Sequence, residues 1–185
     1  MNANEQENSI FHVASNLVAA CFISGLVIGA VYYVTAPVAA QKAEMLKQES
    51  MKELVPEADK FEDVASKPGW TAAVKGKEIA AYIVPSESKG YGGALKLLVA
   101  VTPSGQVIDF TLLEHNETPG LGDNAQKPEF RKQFAGKTPD KLIVVKAPGN
   151  TENIQAMTGA TITSRAVTKG VKEAAEKVIA FKGGK

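Results

Sequence analysis

The chain is poor in the residues that build most cofactor centres: its 185 residues include one cysteine and two histidines. A lone Cys21 forms no disulfide within the chain and cannot by itself hold an iron–sulfur cluster or a Cys-rich metal site. It lies in apolar sequence and reads as a small packing residue. His12 and His115 fall in regions of different character, which argues against a His-based metal centre. Charge of one sign is lacking too. The 21 Lys+Arg and 20 Asp+Glu residues are mixed along the soluble part, so no basic stripe marks a nucleic-acid partner. Neither G-x-G-x-x-G after a first strand nor a Walker A loop occurs, which disfavours a dinucleotide fold and a P-loop. Internal repeats and low-complexity stretches are absent as well.

A local absence is more telling. No Asp, Glu, Lys or Arg occurs from Asn8 to Gln41, and Leu17 to Val34 is almost wholly apolar, enough helix to cover a bilayer's hydrocarbon core. Residues 1–10 read as a tail and Phe11 to Thr35 as a transmembrane helix, with Tyr32 and Tyr33 suited to the interfacial belt and Pro37 just beyond it. A cleaved signal peptide fits poorly: no basic residue precedes Lys42 and the apolar run is too long. Val18-Ala19-Ala20-Cys21 looks like a lipoprotein cleavage box, but apolar sequence continues well past Cys21. Gly25 and Gly29 form G-x-x-x-G, a surface against which a second membrane helix can pack. Such a helix, without charge, offers no ion path. The tail carries Glu5 and Glu7 while Lys42, Lys47 and Lys52 follow the helix, so a literal positive-inside count puts the C-terminal domain in the cytoplasm.

After the membrane segment, residues 36–69 read as a helical stalk and linker: Ala43, Leu46, Met51 and Leu54 make an apolar stripe until Pro56. From Trp70 the period changes to two. Strands are predicted over Trp70–Val74, Ile79–Val84, Leu95–Thr102, Val107–Glu114 and Leu142–Val145, with Pro103-Ser104-Gly105 turning a hairpin. A short helix is expected near Pro128–Phe134. A final amphipathic helix is expected over Ser164–Phe181, with Val167, Val171, Ala174, Ala175 and Val178 inward. Strands in a run with helices at the ends indicate an α+β domain with a mainly antiparallel sheet, residues 70–185.

Three segments carry the chemistry. Thr158-Gly159-Ala160-Thr161-Ile162-Thr163-Ser164 places hydroxyls and a glycine where the last helix starts, and a helix N-terminus, with its unpaired N–H groups and partial positive charge, suits a phosphate. One of the hydroxyls of Thr158, Thr161, Thr163 and Ser164 could hold it covalently. Ser and Thr also gather before helices merely as N-caps. Gly90-Tyr91-Gly92-Gly93 leaves exposed backbone beside an aromatic ring directly before a strand. Glu117-Thr118-Pro119-Gly120-Leu121-Gly122 follows the next strand as a tight turn presenting Glu117, Thr118 and Leu121. Both flank one hairpin, so with the T-G-A-T turn they can wall a single pocket.

These motifs, in this order behind an N-terminal membrane helix, resemble the covalent-FMN-binding G subunit of the Rnf electron transport complex. Its relative is the C subunit of the Na+-translocating NADH:quinone oxidoreductase. The resemblance covers essentially the whole chain, and the short length favours the Rnf member. It implies FMN joined through its phosphate to the last threonine of the [S/T]-G-A-T motif, here Thr161, by a separate flavin transferase that uses FAD. An acidic residue often stands three positions before the motif; here that position is Gln155. The resemblance further implies a single-pass protein of the cell inner membrane with its soluble domain on the extracytoplasmic side, against the charge count.

The expected function is therefore that of an electron carrier, a redox subunit with no complete active site of its own. Its complex would couple ferredoxin:NAD+ electron transfer to Na+ or H+ translocation. Thr161 would bear the flavin. Thr158, Gly159, Ala160, Thr163, Ser164, Gly90, Tyr91, Gly92, Gly93, Glu117, Thr118, Gly120, Leu121 and Gly122 would line its site, and other Rnf subunits would be the partners. The alternatives are the quinone-reductase member, a membrane-anchored binding protein in which T-G-A-T only caps a helix, and a hydrolase using Glu117.

Overall fold

A computed structural model describes residues 3–147 and 149–183, in two compact units, Met1–Met45 and Leu46–Lys185. The described part of the first unit is all helix. It belongs to α1, Ala3–Leu54, in which Pro37 is accommodated without a break. Helix therefore begins well before Phe11 and does not stop at Thr35, so the tail, the expected membrane span and the start of the stalk lie on one continuous element. One missing N–H costs a single backbone bond, while Ala39, Ala40, Ala43, Met45, Leu46 and Lys47 are strong helix formers that carry the helix onward. Among the described residues α1 is the helix long and apolar enough to cross a membrane. Its apolar side chains, Phe11, Phe22 and Ile28 among them, are exposed.

The second unit is built on a five-stranded antiparallel meander in the order β1-β2-β3-β4-β5: Lys60–Asp63, Thr71–Lys75, Glu78–Lys89, Ala94–Val101 and Val107–Glu114. Period two sorts each strand onto both faces. Tyr82 and Val84 of β3 and Leu95, Leu97, Val99 and Val101 of β4 enter the larger core, while Ala81, Ile83, Leu98 and Ala100 face the smaller one. The smaller core is closed by Met51, Leu54 and Val55 at the end of α1, so the domain starts before residue 70 and takes in part of the expected linker. β1 lies in that linker as well. Lys60-Phe61-Glu62-Asp63 has no alternation long enough to announce a strand.

The larger core is covered by α3, Thr161–Gly183, with Val167, Val171, Ala174, Ala175 and Val178 fully buried as the helical period requires. Gly170 lets α3 lie close to the sheet: a Cβ there would stand 3.0 Å from Leu97 Cδ1, and its carbonyl accepts a bond from Ser86 Oγ at 2.9 Å. β3 runs five residues beyond the expected Val84, through Pro85. The last β2–β3 pair is Thr71 with Ile83, so Pro85 pairs only with Leu98 of β4, and the N–H it lacks has no ladder to serve on the other side. Between β5 and α3 lie a 3₁₀ turn, Gly122–Gln126, the one-turn helix α2, Pro128–Arg131, and a parallel pair, β6 Val144–Val145 with β7 Ile154–Gln155. The expected strand over Leu142–Val145 thus shrinks to two residues, with Leu142 buried beside it.

A charged clamp joins three of these elements. Arg131 donates to Asp109 Oδ1 at 3.2 Å and Oδ2 at 2.5 Å, and to Glu53 Oε1 at 3.0 Å, with its side chain 15% exposed. Two parallel bonds to one carboxylate make the strong, oriented kind of ion pair. Arg131→Met should keep the stem's packing but leave Asp109 unpaired, lowering unfolding free energy by about 1–2 kcal/mol after allowing for partial exposure. Urea unfolding of the detergent-solubilised chain, followed by fluorescence of Trp70, measures it; an unchanged midpoint would make the clamp energetically idle.

Candidate functional site

Three loops meet at one end of the sheet around a cavity of about 570 Å³, lined by Tyr91, Glu117, Thr118, Leu121, Gly122 and the segment 159–163 that leads into α3. Its volume is within the range of small-molecule sites. The three sequence motifs therefore do converge. What brings them together is Glu117, which is only 6% exposed rather than presented at a turn surface. Its Oε1 accepts the Gly92 N–H at 3.0 Å, and its Oε2 accepts the hydroxyl of Thr163. One carboxylate thus ties the Gly-rich loop to α3 and to its own turn.

The glycines of the motifs are explained by this carboxylate and its neighbours. A Cβ on Gly90 would lie 2.2 Å from Glu117 Oε1, and one on Gly122 would lie 2.6 Å from Oε2. On Gly92 it would meet the Asn116 carbonyl oxygen at 1.8 Å. Gly159 has a left-handed φ of +77° and turns the chain into α3. Gly90 and Gly92 are thus walls behind the cavity rather than its surface, whereas Gly93, at φ +135°, closes the loop by accepting the Gly90 N–H at 2.7 Å.

α3 starts at Thr161, a turn earlier than Ser164. Ala160 takes the N-cap place: its carbonyl accepts the first helical bond from Ser164 N–H at 2.9 Å. Ser164 is fully buried, its hydroxyl donating to Ala160 O and accepting from Met157 N–H, so it braces the turn and does not line the cavity. No T-G-A-T hydroxyl caps the helix. Among the described residues the N–H groups of Thr161, Ile162 and Thr163 find no acceptor in the chain, and the half-buried Thr161 hydroxyl makes no hydrogen bond. Those donors and that oxygen border the cavity. Around them stand exposed apolar surfaces: Tyr91 is 71% exposed, Leu121 44% and Ile162 54%.

Ile162 is not among the site residues expected from the sequence; its signal is an apolar side chain on the otherwise polar face of α3. Thr158 is turned to a second, shallower cavity beside Asn124, Lys127, Gln133 and Met157. Gly120 sits at φ +77°, its carbonyl accepting from Asn124 Nδ2 at 2.8 Å. Gln155, the departure from the acidic residue of the motif, lies on β7 with its backbone held by the Gln133 amide.

Residues 90–176, the stretch that contains all three loops, match the family described as FMN-binding domain. Over its full 185 residues the chain is 60% identical to the G subunit of the proton-translocating ferredoxin:NAD(+) oxidoreductase complex of Clostridium ljungdahlii, covering 100% of that protein. The chain belongs to the Rnf G-subunit family. Another member, the G subunit of the Na(+)-translocating ferredoxin:NAD(+) oxidoreductase complex of Acetobacterium woodii, is 41% identical over 99 residues, 51% of this chain and 47% of that one. Among solved structures, NqrC of Shewanella oneidensis shares the fold, with a TM-score of 0.52 and 22% identity over 63% of this chain and 61% of that one. This Rnf family member therefore carries an FMN-binding domain of NqrC-like fold, and is one component of an oxidoreductase complex.

Substituting Gly92→Ala should force the Gly-rich loop away from Asn116. Overpacking against backbone costs about 1–3 kcal/mol. Chemical denaturation should show that loss. A variant as stable as the parent would mean the loops are not held in the close approach described.

Proposed function

We propose that this chain carries FMN as a phosphoester on Thr161 and passes electrons within a membrane complex that couples ferredoxin:NAD+ electron transfer to Na+ or H+ translocation. The observation that carries this reading is the N-terminus of α3. Ala160 leaves its cap without a side-chain oxygen, and a hydroxyl and three N–H groups at the edge of the cavity have no partner among the described residues. A phosphodiester there keeps one negative charge, which the helix dipole and the free N–H groups stabilise.

When bound, FMN supplies the redox chemistry, and the protein supplies placement and electrostatics. Tyr91, Leu121 and Ile162 offer the apolar surface a flavin ring requires, and Glu117 holds together the two loops and the helix turn that bear them. Covalent attachment suits a carrier facing a compartment without free FMN, since a noncovalent cofactor once lost would not return. The full-length 60% identity supports the Rnf complex over the quinone reductase as the setting of this chain. Its partners are the other Rnf subunits, one of which would dock against Gly25 and Gly29, whose small size lets a second helix backbone approach closely. A flavin transferase using FAD installs the cofactor. Residues 11–35 span the inner membrane once, and the soluble domain lies on the extracytoplasmic side; the weak charge bias of Lys42 does not override the family's orientation.

Thr161→Ala should give a folded chain without flavin, and Thr161→Ser one that keeps it. Intact mass and ultraviolet fluorescence of the denatured band are the readouts. Stoichiometric flavin surviving SDS in the alanine variant would remove Thr161 from its role.

A further inference from the structure

Glu117 is a buried acidic group for which attachment of a cofactor has no need. It forms part of the cavity wall, and no Lys, Arg or His is ion-paired with it among the described residues. Both of its oxygens act as acceptors, one for the Gly92 N–H and one for the Thr163 hydroxyl, the arrangement that suits an ionised carboxylate. Loops could be joined by neutral groups at lower desolvation cost. Yet the turn, the Gly-rich loop and α3 are all shaped around this one carboxylate, with Gly90 and Gly122 bare to admit it.

We infer that Glu117 sets the reduction potential of the cofactor: a fixed negative charge in the cavity wall that disfavours electron uptake and lowers the midpoint potential. This rests on the proposal that FMN occupies the cavity. A ring held in the cavity would take up negative charge in the field of a carboxylate that no cation offsets among the described residues, and a protein interior screens that repulsion far less than water does. Gly92 and Thr163 moderate the effect, each hydrogen bond drawing off part of the carboxylate's field. Removing the charge and removing one donor should therefore move the potential in opposite directions. A carboxylate serving only to hold loops together gives no such opposition.

The test is potentiometric titration of the full chain carrying FMN, in detergent, followed by flavin absorbance. Glu117→Gln, nearly isosteric, should favour the reduced form at least about tenfold, equivalent to a rise of about 30 mV for a two-electron couple. Thr163→Val, which keeps the carboxylate and deletes a donor, should lower the potential. If Glu117→Gln fails to fold or to hold flavin, Thr163→Val decides alone. Potentials that stay put or move in the same direction in both variants overturn the inference. Absence of flavin from the Thr161 peptide of the unsubstituted chain would instead strike at the proposed function.

Discussion

Everything at the functional end of this domain depends on burying one carboxylate with its hydrogen bonds satisfied. An unpaired ionised group out of water is costly, and the cost falls steeply only when donors are aimed at each oxygen. Glu117 finds them on two segments distant in sequence, the Gly92 backbone and the Thr163 side chain. The penalty for misplacing either segment is then the penalty of an orphaned charge. That makes the loop arrangement all-or-none rather than a set of independent turns. It also explains why side chains are missing at Gly90, Gly92 and Gly122, where a single methyl would occupy the carboxylate's place or the backbone's.

The rest of the second unit supports that arrangement from two sides. The meander delivers the Gly-rich loop from the end of β3 and the Glu117 turn from the end of β5, the two strands that flank β4. α3 crosses the same sheet at close range because Gly170 has no side chain, bringing its first turn to the third wall of the cavity. Phe181 packs edge to face on both Trp70 and Tyr82 at ring separations of 5.7 Å near the other end of α3, so the helix is held at both ends.

Much of this is legible in the sequence, for physical reasons. Long elements with a clean period, β4, β5 and α3, declare both their type and their inward face, since burial alone imposes their pattern. The convergence of three loops is legible because glycine, proline and hydroxyl residues are concentrated there. What escapes reading depends on partners far along the chain. β1 is a strand only because β2 lies beside it, Pro85 is tolerated only because β2 has ended, and helix persists past Pro37 because its neighbours favour it. Glu117 looks like an exposed ligand for the same reason: its two donors come from elsewhere. Ser164, expected in a ligand site, is a brace, because a hydroxyl's use is set by which side of the helix it occupies.

Ala160 at the N-cap has one more consequence. Alanine gives up about 1 kcal/mol relative to serine, threonine or aspartate at that position. Under the proposed linkage the missing acceptor arrives with the cofactor, whose phosphate oxygens can take up the waiting N–H groups. The prosthetic group would then finish the secondary structure that holds it, and maturation would be the last step of folding.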